Sequence, residues 1–207
     1  ANIEHAHQLI VSLPNTLRAA SQDAYTARAV IYSLLIREQN DKDTAWQLLN
    51  QYADTTMPAE TQKYYKEAVT LDDPLILPLL ELSVNALREL SEKQYKQFKY
   101  TIEKIVTADK TIDLNEWVIQ RLVLQQLDEH FALRKPAREK HAYLGAVKKE
   151  AEILLSLLAY IEHKDDDNLA KHAFDLGIKE IGATAFNIVP KDQLSLTTLN
   201  TSLDRLM

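Results

Sequence analysis

The 207-residue chain has no cysteine, three glycines and six prolines. Without cysteine it can form neither disulfides nor thiolate metal sites, and this usage fits a reducing compartment. Three glycines are too few for a strand-rich fold with many tight turns, because turns needing positive φ depend on glycine. Long apolar runs are missing as well. The longest, LILPLLEL at 75–82, is far short of the ~20 residues that cross a bilayer as a helix. No secretory leader pattern is visible, and the chain opens at Ala1, so it is expected to be a piece of a longer protein.

Catalytic signatures are missing too. The motifs G-x-S-x-G, G-x-x-x-x-G-K-[ST] and G-x-G-x-x-G do not occur. The six histidines are His5, His7, His130, His141, His163 and His172. No two are spaced to share a helix face as zinc ligands, and none is followed by glutamate, so H-E-x-x-H is absent. Glu150 and Glu152 would lie on opposite sides of a helix and make no carboxylate dyad. These patterns exclude the familiar hydrolytic centres from this chain.

What is present points to helices. Hydrophobic residues make up 46% and charged residues 26%, with a formal charge of −6, a balance that favours solubility and argues against nucleic-acid binding. Basic clusters at Lys93, Lys96 and Lys99, at Arg134, Lys135, Arg138 and Lys140, and at Lys148 and Lys149 are interleaved with glutamates. They read as solvated helix faces, with a docking patch as the other reading.

Apolar spacing predicts helices over Ile3–Leu13, Tyr25–Arg37, a segment capped by Asp43, one opened by Pro58, and one from near Leu77 to Leu90. Ser91 with Gln94 forms a capping box for the next helix, and Asp113 with Glu116 has the same spacing. Beyond Lys135-Pro136 a long helix is expected over Ala137–Glu162, then one capped by Asp167 over Asn168–Ile181, and a last one over Gln193–Met207. Gly177, inside a helical pattern, is expected to permit close helix packing. FNIVP at 186–190 is too short to count as a strand. The expected fold is therefore all-α, an array of about eight to ten helices without significant sheet. It is read as a single domain over 1–207, with a division into 1–72 and 73–207, or near 135, as the alternative.

The densest information lies in SEKQYKQFKYTIEKIVTADKTIDLNEWVIQRLVLQQLDEHF at 91–131. Tyr95, Phe98, Ile102 and Ile105 make one apolar stripe. Trp117, Val118, Leu122 and Leu124 spread over an arc wide enough to require burial on more than one side. Between them Asp109, Thr111 and Asp113 match positions 1, 3 and 5 of a calcium loop. Leu114 and Gln120 stand where that loop needs glycine and glutamate, so this is no EF-hand. Asp109, Asp113 and Glu116 are read as helix-ending and helix-capping residues, with weak divalent-cation binding as the alternative. His163 with Asp165, Asp166 and Asp167 reads as a solvated acidic loop at a helix start.

ADKTIDLNEWVIQRLVLQQLD resembles the acidic helix–turn–helix signature of TerB-like domains, A-D-G-x-I-D-x-x-E, with Lys110 in place of the usual glycine. A wider resemblance, carried by LPNTLRAA, ARAVIYSLL, LSEKQYKQF and IDLNEWVIQRL, is to the C-terminal helical region of long bacterial HtpX-like membrane zinc metallopeptidases. That resemblance implies a parent chain with transmembrane segments and a zinc-binding protease domain, zinc being held there and not in this portion. It implies a non-catalytic accessory region on the cytoplasmic side of the inner membrane. Its partners would be the protease domain, protein substrates or further copies of itself, with no nucleic acid, and it would meet the membrane only through the parent's spans. The alternative is a free-standing TerB-like stress protein that binds cations or partners through its acidic turn.

Overall fold

The computed structural model describes residues 8–106, 114–133, 143–163 and 166–206, with side chains at 114–116 and 196–197 left aside. The chain is all-α, and no strand occurs among the described residues. It divides into two compact units, Ala1–Lys135 and Pro136–Met207.

The first unit is built around one helix. After a helical stretch at 8–12 come α1 (Asn15–Ala20), α2 (Ala24–Glu38), α3 (Lys42–Tyr52), α4 (Met57–Val69), α5 (Ile76–Leu87), α6 (Glu92–Val106) and α7 (Leu114–His130). The sequence AYTARAVIYSLLIRE gives α2 apolar or small residues on every side, and each residue from Ala27 to Ile36 is buried. Such a helix must be surrounded. It packs against α1, α3, α4, α5, α6 and α7. The single face expected of Ala27, Val30, Ile31, Leu34 and Leu35 is thus only part of what is covered. One core runs continuously from Leu13 to Leu127, so position 72 is not a unit boundary.

Polar groups fix the helix ends. Asp23 opens α2 by accepting from the backbone N–H groups of Tyr25 and Thr26, both at 3.0 Å. Asp41, not Asp43, caps α3: it accepts from the N–H of Thr44 at 3.0 Å and from its hydroxyl at 2.7 Å. Asp43 sits in the first turn, where its charge suits the helix dipole. Pro58 lies in the first turn of α4, as its lost N–H permits. Pro78 is the third residue of α5 and sits where helical N–H groups have no intrahelical acceptor. That helix therefore starts at Ile76 and tolerates the proline. It ends at Leu87, earlier than expected, because Glu89 and Leu90 close back on Ala86 and Leu87 in turns. The capping box of α6 is present: Ser91 N–H donates to Gln94 Oε1 at 2.9 Å and Gln94 N–H to Ser91 Oγ at 3.3 Å. At the end of α7, Ala132 takes φ 55° and Leu133 N–H returns to the Asp128 carbonyl at 2.8 Å, a Schellman-type stop.

Hydrogen bonding at this N-terminus should be visible in acid. The Thr26 N–H above all, then its hydroxyl and the Tyr25 N–H, hold the Asp23 carboxyl below its ordinary 3.8. A lowered folded value stabilises fully above the unfolded one and is lost as pH falls through the folded value. Asp23→Asn keeps an acceptor at the cap, so stability at neutral pH should move by under about 0.5 kcal/mol. Its acid-unfolding limb below the ordinary value of 3.8 should become shallower than that of the wild type. Parallel limbs in a circular-dichroism pH titration would refute this role for Asp23.

The second unit contains α8 (Lys148–Glu162), α9 (Asp167–Glu180) and α10 (Leu196–Leu206), with α8 packed against both others. The expected helix over Ala137–Glu162 is shorter. Residues 137–142 lie outside the described part, and Tyr143 is extended, at φ −155° and ψ 151°. A short 3₁₀ turn, Leu144–Val147, then leads into α8. Gly145 lies under the Tyr143 ring, where a Cβ would come within 3.1 Å. Asp166, not Asp167, caps α9, accepting from Asn168 and Leu169 N–H at 2.9 and 3.1 Å. Gly177 faces Leu155 with room for a methyl at 3.8 Å, so packing there does not require glycine. The FNIVP segment lies along α8 without a strand partner. Asn187 N–H donates to Glu152 Oε1 at 2.9 Å and Val189 N–H to Ser156 Oγ at 2.8 Å. Phe186 and Ile188 pack against the small core of Ala159, Ala170 and Phe174.

Candidate binding groove

Asp109 and Asp113 lie outside the described residues. Glu116 belongs to the first turns of α7 by its backbone, and its side chain is not described. Among the described residues no group of three or more His, Asp and Glu is placed to hold a metal ion. Of the acidic loop, Asp166 caps α9 and Asp167 pairs with Lys191 at 2.6 Å, while Asp165 lies outside. Glu150 is buried and paired with Arg205 at 2.8 Å. Glu152 pairs with Lys148 at 3.6 Å. Glu150 thus ties α8 to α10, while Glu152 serves Lys148 of its own helix and the Asn187 N–H.

The helices on either side of segment 109–113 are joined through buried side chains. Tyr95, Phe98, Ile102 and Ile105 are all buried. Tyr95 stacks on Phe131 with centroids 4.5 Å apart and 12° between planes. Its hydroxyl donates to Asp128 Oδ1 at 2.6 Å. Burial, followed by that carboxylate, pushes the hydroxyl's pKa well upward. Lys99 donates to both Asp128 oxygens, at 2.9 and 2.8 Å. This group joins the start of α6 to the end of α7. His130 completes it with Nε2 3.1 Å from the Arg88 carbonyl.

Two of the three lysines of the basic cluster on α6 are similarly engaged, and Lys93 is exposed. Lys96 pairs with Glu92 at 2.5 Å and Lys99 with Asp128. The cluster of Arg134, Lys135, Arg138 and Lys140 lies outside the described residues.

An opening remains between α5 and α7. Ile76, Leu77 and Leu80 of α5 face Val118, Ile119 and Leu122 of α7 across a cavity of about 260 Å³, with Asp73 at its edge. Trp117, Ile119, Val123, Leu124 and Leu127 are buried, but Val118 and Leu122 are only half-buried. The second apolar side that the sequence of α7 demands is thus only partly covered. Leu77 stands at the mouth, 50% exposed. A groove of this kind can seat apolar side chains of another molecule. Among its described lining groups only Asp73 is polar, and its carboxylate pairs with Arg37 at 2.6 Å.

Sequence reasoning placed α7 correctly as broadly apolar, but it did not find the groove. The available signal was Leu77, the outward-facing member of LILPLLEL, which a fully closed core would have no reason to expose. Among the described residues no helix is long and apolar enough to cross a membrane. No family model, curated protein or solved structure matches the chain.

Proposed function

We propose that this chain is a non-catalytic accessory domain of a membrane-bound zinc metalloendopeptidase, acting on the cytoplasmic side of a bacterial inner membrane by holding protein segments. The observation that carries the binding part of this reading is the apolar groove between α5 and α7, with Leu77 at its mouth. The link to a zinc protease rests on the sequence blocks LPNTLRAA, ARAVIYSLL, LSEKQYKQF and IDLNEWVIQRL. In the fold these lie in or beside α1, α2, α6 and α7, each of which contributes residues to the first unit's core. Zinc and the peptide-cleaving groups belong, on this reading, to another part of the parent chain. This part would present substrate, bind the protease domain, or associate with copies of itself.

The isolated chain is expected to leave casein intact with or without added zinc. Cleavage that a chelator abolishes would overturn the reading. The alternative, a free-standing TerB-like protein that acts through Asp109, Asp113 and Glu116, rests on their spacing in the sequence. Calorimetric titration separates the two. Saturable heat with Ca²⁺, Mg²⁺ or Mn²⁺ that disappears in Asp109→Asn/Asp113→Asn would favour the alternative.

A further inference from the structure

We infer that the α5–α7 groove takes a protein segment in which bulky apolar side chains are flanked by lysine or arginine. This rests on the binding reading above and adds the chemistry of the occupant. Size is the first argument. About 260 Å³ falls below the roughly 300–1,000 Å³ of small-molecule pockets. Such pockets also carry a few convergent polar groups that orient a ligand, and among the described residues here Asp73 is the only polar lining residue. The space suits one or two anchoring side chains. Shape is the second. Both walls are helices that pack against each other, a setting in which an amphipathic helix can lay spaced anchors into a groove.

Charge is the third argument and decides the occupant. Residues 72–87, which form the α5 wall and its lead-in, contain Asp72, Asp73 and Glu81 and no lysine or arginine. Asp72, Asp73 and Glu81 are exposed. Glu81 stands one helical turn beyond Leu77, on the same exposed face. Arg37 balances Asp73, which leaves Asp72 and Glu81 to set an acidic rim along the α5 side of the apolar floor, while Arg121 of α7 lies over the Trp117 ring. Such a rim attracts cationic flanks, repels acidic segments and disfavours anionic lipid headgroups.

The test uses the full 207-residue chain and two labelled synthetic helices, one of leucine and lysine and one of the same pattern with glutamate replacing lysine. Fluorescence polarisation should show the leucine–lysine peptide bound at least about tenfold more tightly than its glutamate counterpart. Leu77→Lys, at a half-exposed position, should leave the circular-dichroism spectrum unchanged and weaken that peptide by about tenfold or more. Leu158→Lys, at an exposed leucine of the second unit, should have no effect. Equal binding of both peptides, or equal loss in the two lysine variants, would overturn the inference.

Tighter binding of the glutamate peptide, still lost in Leu77→Lys, would overturn the charge assignment and leave the groove as a binding face. No saturable binding of either peptide would overturn both. Sedimentation with phosphatidylglycerol vesicles that Leu77→Lys abolishes would identify a lipid surface and overturn the inference.

Discussion

Phe98→Ala should lower the stability of the first unit by about 4 kcal/mol, close to the upper range for a buried aromatic truncated to alanine. Phe98 is fully enclosed, on the face of α6 that also carries Tyr95, Ile102 and Ile105. Its ring lies 5.3 Å from that of Tyr32 at 56°, an inclined arrangement that adds to simple burial. Tyr32 is itself buried on α2, where burial drives its hydroxyl pKa strongly upward. Nothing adjacent is free to collapse, since α2 is packed on all sides and the vacated space opens onto its centre. Against a total stability of 5–15 kcal/mol for an ordinary domain, this is a large fraction. Denaturant unfolding should show the midpoint falling sharply at unchanged slope, with Phe98→Leu losing less than half as much. A loss under about 1 kcal/mol would mean that α6 does not seal the core of α2.

The second large effect is expected at Asp128. One carboxylate there accepts from the Tyr95 hydroxyl and from Lys99, with its own side chain 16% exposed and that of Lys99 28% exposed. Asp128→Ala leaves the Tyr95 hydroxyl only the Leu124 carbonyl at 3.4 Å and takes the acceptor from a half-sheltered ammonium. The loss should be about 2–3 kcal/mol, hydrogen bonds to a charged group being worth more than neutral ones. Tyr95→Phe removes donor and need together and should cost about 1 kcal/mol. The two changes should be strongly non-additive in a double-mutant cycle, because they act on one bond. Simple additivity would show that Asp128 stabilises the end of α7 by some route other than Tyr95.

The residues explain why some of the fold was legible in the sequence and some was not. Local chemistry read well. The Ser91–Gln94 box, Pro58 in a first turn and the Tyr95–Ile105 stripe depend on neighbours within a turn or two, and the structure contains all three. Choices between adjacent acidic residues read poorly. Asp41 against Asp43 and Asp166 against Asp167 differ by a residue or two, and backbone dihedrals, not side-chain type, decide which one caps. The helix expected across Ala137–Glu162 failed at Tyr143, whose ring covers Gly145 in a way that helical periodicity cannot signal.

The groove lay beyond reach for a different reason. Leu77 and Val118 are about forty positions apart, and their meeting depends on how α5 and α7 pack around α2. The wide apolar arc of α7 hinted that a second partner was needed, without saying how fully the chain itself supplies one. The acidic turn of Asp109, Asp113 and Glu116 was the most conspicuous feature of the sequence, and no described side chain bears on it.

The proposed role requires that this helical region and a zinc protease belong to one polypeptide. The direct measurement is to sequence the reading frame upstream of the codon for Ala1. The account predicts transmembrane segments and an H-E-x-x-H motif in frame with this region. A start codon immediately before it, with no protease encoded in that frame, would contradict the account and shift attention to the acidic turn.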